Sequence, residues 1–196
     1  MNRVRVRESL TKNEERSGAR RRYRTRRRVK VMIRIGVFSD SHGDVRAIQE
    51  LYAAMGQLGA VFFLGDMTAD IEAFRKYLED QGSRIPVFSV RGNNDMFSKE
   101  PDYLVVPVGE RKAFLTHGHL YRVRQGTEML CRAAKKEGCD IALYGHTHTR
   151  YCSFDEGIFV LNPGAVSGCY PSRMKTAAVL VSDGNRISME DVVLDL

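Results

Sequence analysis

Five times along this chain a short apolar run stops in a small polar cluster built from Gly, Asp, Asn, Ser, Thr and His. The clusters are Asp40-Ser41-His42, Gly65-Asp66, Gly92-Asn93-Asn94-Asp95, His117-Gly118-His119 and Gly145-His146-Thr147-His148. Apolar runs of four to eight residues bounded by such residues read as buried strands rather than helices. Strands are therefore predicted over 32–40, 61–64, 86–90, 112–116 and 141–144. Between the first three lie segments of helical spacing. Asp44 is placed to cap a helix over 45–57 with Ile48, Leu51, Tyr52 and Met55 on one face. A second helix over 69–80 turns Ile71, Phe74 and Leu78 inward. The second half is richer in strands, over 103–108, 151–154, 158–161, 176–182 and 186–194, with one helix over 126–137. A βαβαβ half followed by a β-rich half predicts an α/β fold of two sheets packed face to face with helices outside.

Charge divides the chain. Residues 1–31 carry 13 of the 31 lysines and arginines and 3 of the 24 acidic residues, a net of +10, while the remainder is net −3. The overall +7 thus belongs to the N-terminal segment and not to the domain. Residues 1–31 are expected to form a basic, disordered extension, and the ordered pattern starts at Met32, as it would if the extension were foreign to the natural protein. Residues 32–196 are expected to form one domain. The segment alone would support nucleic-acid binding. The neutral-to-acidic domain argues against an extended duplex interface, which needs a basic face.

Four cysteines at 131, 139, 152 and 169 make neither a CxxC pair nor a disulfide framework. With no apolar run of membrane-spanning length, this places the protein in the cytoplasm, away from the membrane. Exposed apolar edges would allow a homo-oligomer.

The chemistry lies in the clusters. All five histidines of the chain fall inside them, each just past a predicted strand, together with Asp40, Asp66 and Asn93. Strand C-termini in α/β sheets face the ligand crevice. Imidazole and carboxylate donors without thiolate suit Mn, Fe, Zn, Ni or Co. Asp-x-His and His-x-His in extended backbone present both side chains on one face. A carboxylate with two free oxygens can bridge two metals, and two metals about 3.5–4 Å apart can clamp a phosphoryl group. The glycines at 43, 65, 92, 118 and 145 are expected to let the backbone turn beside the site. Each cluster alone is commonplace. Their joint occurrence carries the reading.

Taken together, Asp40-x-His42, Gly65-Asp66, Gly92-Asn93-x-Asp95, His117 and Gly145-His146-x-His148 resemble the calcineurin-like metallophosphoesterase family, in its small bacterial and archaeal phosphodiesterase branch. The resemblance spans nearly all of the chain from Met32. It implies a four-layer αββα sandwich of two mixed sheets with flanking helices, and a dinuclear site at the strand ends. It also implies two divalent ions, manganese foremost, with Ni, Co, Fe or Zn as alternatives, and a small phosphate ester as substrate. Asp40, His42 and His148 would bind the first metal, Asp66 would bridge, and Asn93, His117 and His146 would hold the second. A hydroxide bridging the metals would attack phosphorus in line.

One departure stands out. Many relatives carry His directly after the motif Asn, where this chain has Asn94. An amide cannot serve as a general acid, although it can still bind a phosphoryl oxygen. Substrates with good leaving groups, such as aryl phosphodiesters, are therefore expected to turn over best. His119 is a candidate substitute donor, and Asp95 is expected to orient Asn94 or a histidine, or to stabilise its own turn. Arg173 is a candidate substrate contact. Asn162-Pro163-Gly164 resembles a family loop beside the site, here interrupted by Cys169-Tyr170. Two other functions compete: a non-catalytic scaffold like the retromer subunit of this fold, and a nuclease aided by the basic segment. The complete ligand set favours the enzyme.

Overall fold

Why so many strands here are apolar at every position becomes clear from the layers. The computed structural model describes residues 4–9, 32–171, 173–184 and 186–194. In chain order the strands are β1 (Val4–Ser9), β2 (Ile33–Phe38), β3 (Ala60–Phe63), β4 (Val87–Ser89), β5 (Tyr103–Val108), β6 (Arg111–Thr116), β7 (Ile141–Leu143), β8 (Tyr151–Asp155), β9 (Ile158–Asn162), β10 (Lys175–Ser182) and β11 (Ile187–Leu194). The helices are α1 (Val45–Ala54), α2 (Thr68–Asp80) and α3 (Glu128–Lys136). They build two mixed sheets, ordered β1-β11-β10-β2-β3-β4 and β5-β6-β7-β9-β8.

Alternate residues of each central strand feed different cores. Ile35, Val37, Phe62 and Leu64 point between the sheets, where they share a core with Leu115, Ile141, Leu143 and Leu161. Phe38, Val61, Phe63 and Val179 point the other way, under Ile48 and Leu51 of α1 and Ile71 and Phe74 of α2. Phe114, Ala142 and Val160 point outward from the second sheet onto Leu130, Cys131 and Ala134 of α3. Strands covered on both faces lose the polar alternation of half-exposed ones. The result is the expected αββα sandwich. Each fully buried Leu or Phe contributes about 1.5–3 kcal/mol, and the central interlocked ring is Phe74, whose centroid lies 5.2 Å from that of Tyr52 and 6.2 Å from that of Phe38.

Parallel pairing of β2, β3 and β4 on one sheet, and of β6, β7 and β9 on the other, aligns their C-terminal ends. Edge strand β5 carries Pro107, which has no N–H to offer a further strand.

The elements differ from expectation at three places. Val4–Ser9, inside the segment expected to be disordered, pairs antiparallel with β11 from Val4↔Leu194 to Ser9↔Met189. Its Val-Arg-Val-Arg alternation has the period of a strand, and the edge of β11 offers it an unpaired row of backbone groups. The remainder of residues 1–31 lies outside the described residues. Helix α1 ends at Ala54, with Met55 as its cap and Gly56 in the left-handed region, rather than at 57. Helix α3 starts at Glu128 because Gly126 has φ +148°. Asp44 does cap α1: its carboxylate accepts from the Ala47 N–H at 3.0 Å.

Candidate metal centre

The loops after β2, β3, β4, β6 and β7 converge, and the convergence is strained. Asp40, His42, Asp66, His146 and His148 all sit at positive φ, between 45° and 66°. Asp and His tolerate this region better than most residues, yet such backbone persists only where the surroundings impose it.

At the centre lies Asp40, with 0% of its surface exposed. Its Oδ2 accepts the His146 backbone N–H at 3.0 Å. Its Oδ1 faces the Nε2 atoms of His148 at 3.1 Å, His42 at 3.9 Å and His117 at 4.0 Å, yet makes no aligned hydrogen bond. The Nε2 atoms of His42 and His148 are 3.3 Å apart. Asp66, beside it, lies 3.4 Å from His117 Nε2 through Oδ2. Asn93 Oδ1 is 3.1 Å from that same nitrogen.

The imidazoles are fixed from behind. His117 Nδ1 donates to the Leu64 carbonyl at 2.8 Å, and His148 Nδ1 donates to the Tyr170 carbonyl at 3.0 Å. A carbonyl only accepts, so the hydrogen is on Nδ1, and whenever the ring is neutral its Nε2 aims a lone pair at carboxylate oxygens. Lone pairs facing carboxylates repel unless a proton or a cation lies between them. The titration behaviour agrees. Burial depresses the His117 pKa, but the Asp66 and Asp40 carboxylates outweigh it and hold the value above the ordinary one. The His148 pKa is likewise raised, chiefly by close contact with Asp40. Burial alone would raise the Asp66 carboxyl, and the His117 contact overrides it, leaving it far below the usual range. Two groups of donor atoms lie within 4.8 Å of one another, Asp40 with His42 and His148, and Asp40 with Asp66 and His117. A buried carboxylate oxygen without an aligned partner, ringed by imidazole nitrogens, is a donor set that fits divalent cations. His146 lies beside these groups, its ring centroid 5.1 Å from that of His117. Burial, then the neighbouring His117, push its pKa down to about 4.

The loops are braced by carboxylates from a distance. Asp95 accepts from the N–H groups of Gly92 and Asp66 through Oδ2, and from those of Met67 and Thr68 through Oδ1. It thereby caps α2, whose own N-cap Met67 has no side-chain bond to give. Asp95 therefore stabilises its own turn through Gly92, as one of its expected roles had it, and also holds the Asp66 backbone. Asp70, absent from the expected set, accepts from Ser41 Oγ and the Gly43 N–H, both at 2.7 Å, and ties down the His42 loop. Asn162 donates to the Gly145 carbonyl at 2.8 Å and to Thr147 Oγ1 at 3.1 Å, so its loop does stand beside the site.

Two of the glycines expected to serve turning serve space instead. A Cβ on Gly92 would strike the Asp66 carboxylate, and one on Gly145 would strike Ser39 and Asp40.

Asn94 donates to both Asp66 oxygens, from its backbone at 3.0 Å and from Nδ2 at 2.7 Å. His119 starts a short 3-10 turn, its ring centroid 5.5 Å from that of His117 and its Nδ1 buried without a hydrogen bond. Burial lowers its pKa, and the His117 charge adds to the effect. Arg173 is exposed and lines neither of the cavities that flank the site. One cavity, of 780 Å³, is bounded by Asn94, Met96, Phe97, Glu72 and Glu100. The other, of 550 Å³, is bounded by His146, His148, Arg124, Tyr151 and Tyr170. Arg124 is a second residue that the motifs alone do not reveal, since nothing in its local sequence marks it as a neighbour of His146.

Residues 33–185 match the calcineurin-like phosphoesterase superfamily domain. A phosphodiesterase of Methanocaldococcus jannaschii is 26% identical over 179 residues, which cover 83% of this chain and 100% of that relative. The solved structure of a predicted phosphoesterase from Streptococcus pneumoniae TIGR4 is 29% identical, covers 81% of this chain and 88% of its own, and superimposes with a TM-score of 0.66. Vacuolar protein sorting 29 from Cryptosporidium parvum, 21% identical, shares the fold with a TM-score of 0.68 over 84% of this chain and 97% of its own.

Proposed function

The chain belongs to the calcineurin-like phosphoesterase superfamily, and from that premise we propose that it is a phosphodiesterase that works with two divalent metals. The observation that carries this reading is the buried Asp40 Oδ1, faced by three imidazole nitrogens and given no aligned hydrogen by any of them. Asp40, His42 and His148 would hold one ion, Asp66 would be shared, and Asn93, His117 and His146 would hold the other. Bound there, the metals would supply Lewis-acid polarisation of a phosphoryl oxygen and a hydroxide nucleophile at neutral pH. Manganese suits the N/O donor set, and Ni, Co, Fe and Zn are compatible with it.

The protein's own groups do the remaining work. Asp40 and Asp66 concentrate negative charge where cations belong, and the Leu64 and Tyr170 carbonyls fix the donor tautomers of His117 and His148. The Asn94 amide lies against Asp66 and is placed to donate to a phosphoryl oxygen, but it gives no proton to a departing alkoxide. Aryl phosphodiesters should therefore turn over faster than alkyl ones under chemistry-limited conditions; equal turnover numbers would contradict this role for Asn94. No described helix is long and apolar enough to cross a membrane, and the four free cysteines fit the reducing compartment proposed here.

The test is hydrolysis of bis-p-nitrophenyl phosphate by metal-stripped protein. Activity should return with Mn²⁺ and be absent in Asp66→Ala. Folded protein that stays inactive with Mn²⁺, Ni²⁺, Co²⁺, Zn²⁺ and Fe²⁺ would favour the scaffold reading.

A further inference from the structure

The two cavities beside the metal centre differ in charge. The cavity at Asn94 has apolar Met96 and Phe97, 77% and 94% exposed, and its wall carries Glu72, Glu100 and Asp95 with Lys99, both glutamates being paired with Arg75 behind it. The cavity at His146 and His148 has no acidic residue in its wall and one cation, Arg124. That guanidinium is exposed, and among the described residues it has no hydrogen bond or ion pair. Several arginines elsewhere are paired, Arg34 with Glu190, Arg75 with Glu100, Arg91 with Asp102 and Arg150 with Asp191; Arg124 differs from these in lining a cavity that holds candidate metal ligands. An unpaired arginine in the same wall as two candidate metal ligands attracts an anion and repels a cation.

Aromatic surface completes this cavity. Tyr151 is held in place by donation from its hydroxyl to Asp155 Oδ2 at 2.8 Å, and its ring lies 6.4 Å from that of Tyr144. Tyr170, 90% exposed, stands on the loop whose carbonyl holds His148. The Tyr151 ring, held in place beside a free guanidinium, suits a planar group that bears a negative charge.

We infer that the cavity at His146 and His148 is a subsite for one arm of the substrate, an aromatic arm that carries a second anionic group, and that Arg124 selects for that group. The uncharged, apolar arm belongs on Met96 and Phe97. The inference rests on the phosphodiesterase reading for which phosphate is cleaved, and on the cavity alone for what is bound. The substrate class is thus a phosphodiester with a planar arm and a second phosphate or carboxylate, for which a nucleoside bisphosphate is the nearest simple probe.

The experiment is calorimetric titration of the full chain with thymidine 3′,5′-bisphosphate and thymidine 5′-monophosphate, beside kcat/KM with Mn²⁺ for the 5′-p-nitrophenyl esters of both. The wild-type protein should prefer the bisphosphate by about tenfold in affinity and in kcat/KM, the scale of one charge-assisted contact. Arg124→Ala should bring both ratios to about one, Arg124→Lys should keep part of the preference, and Tyr151→Leu should weaken both nucleotides alike. Equal affinity in the wild type, or a preference that survives Arg124→Ala, overturns the inference even if both esters are hydrolysed. A preference in binding that Arg124→Ala removes, with neither ester hydrolysed, supports the subsite and instead overturns the phosphodiesterase reading.

Discussion

The candidate centre has an inner and an outer half, and they are built differently. The inner half, Asp66 with His117, is almost sealed: His117 is 0% exposed and Asp66 2%. Its supports are internal, since His117 leans on the Leu64 carbonyl of its neighbouring sheet and Asp66 on the four backbone donors gathered by Asp95. The outer half, His42 with His148, is half-buried. His148 leans on the carbonyl of Tyr170, in an exposed loop, and His42 on a turn tied by Asp70. Asp40 belongs to both. The difference implies a preorganised inner position and a more adjustable outer one, because a ligand is only as fixed as the group behind it.

Three perturbations would break or sharpen that contrast, and a fourth gives a reference outside it. The largest effect is expected for Asp66→Ala, which removes the shared carboxylate. Bis-p-nitrophenyl phosphate hydrolysis should fall by on the order of 10³-fold or more. Next, His117→Ala should cost roughly 10²-fold with little recovery at raised Mn²⁺, whereas His148→Ala should cost roughly tenfold and recover as Mn²⁺ is raised. Mn²⁺ titrations of activity check the pair, and identical curves would erase the contrast. Third, in metal-stripped protein, Asp95→Ala should destabilise by about 2–4 kcal/mol, and Asp70→Ala by about half of that, because Asp95 leaves more buried N–H groups unpaired. Thermal melts should shift by about 5–12 °C for Asp95→Ala.

The smallest effect lies outside both halves. The hydrogen bonds from Arg91, at 2.6 Å and 3.1 Å, hold the Asp102 carboxyl below its ordinary value of 3.8. A depressed carboxylate contributes stability that is present above its unfolded value and lost as pH falls through the folded one. The stability difference between wild type and Asp102→Asn should therefore be present at neutral pH and shrink in acid melts as the pH falls below 3.8. The pair is well exposed, so solvent screening keeps it small.

The inner and outer halves were unequally legible in the sequence. The convergence of the candidate residues of both halves was legible, because each stands directly after an apolar strand and strand ends are local signals. Asp44 as a helix cap was legible for the same reason. The αββα layering followed from strands that lack polar alternation. Most of what supports the candidate ligands was not legible. Asp95 and Asp70 look like ordinary loop and first-turn acids, and apart from the local Gly92 bond their bonds span 27–29 residues of sequence. Tyr170 acts through a carbonyl that every residue has. The strained φ values at the ligands depend on tertiary constraint, which no local pattern reports. Strand β1 was passed over because its charge density masked its period of two.

The central claim is that one buried constellation holds two divalent ions through Asp66. Its most direct test is metal stoichiometry by equilibrium dialysis of the stripped protein against Mn²⁺, read by elemental analysis, for wild type and Asp66→Ala side by side. Two ions per wild-type chain and fewer than one per Asp66→Ala chain are expected, with circular dichroism unchanged. One ion or none in the folded wild type, or two retained without Asp66, would contradict it.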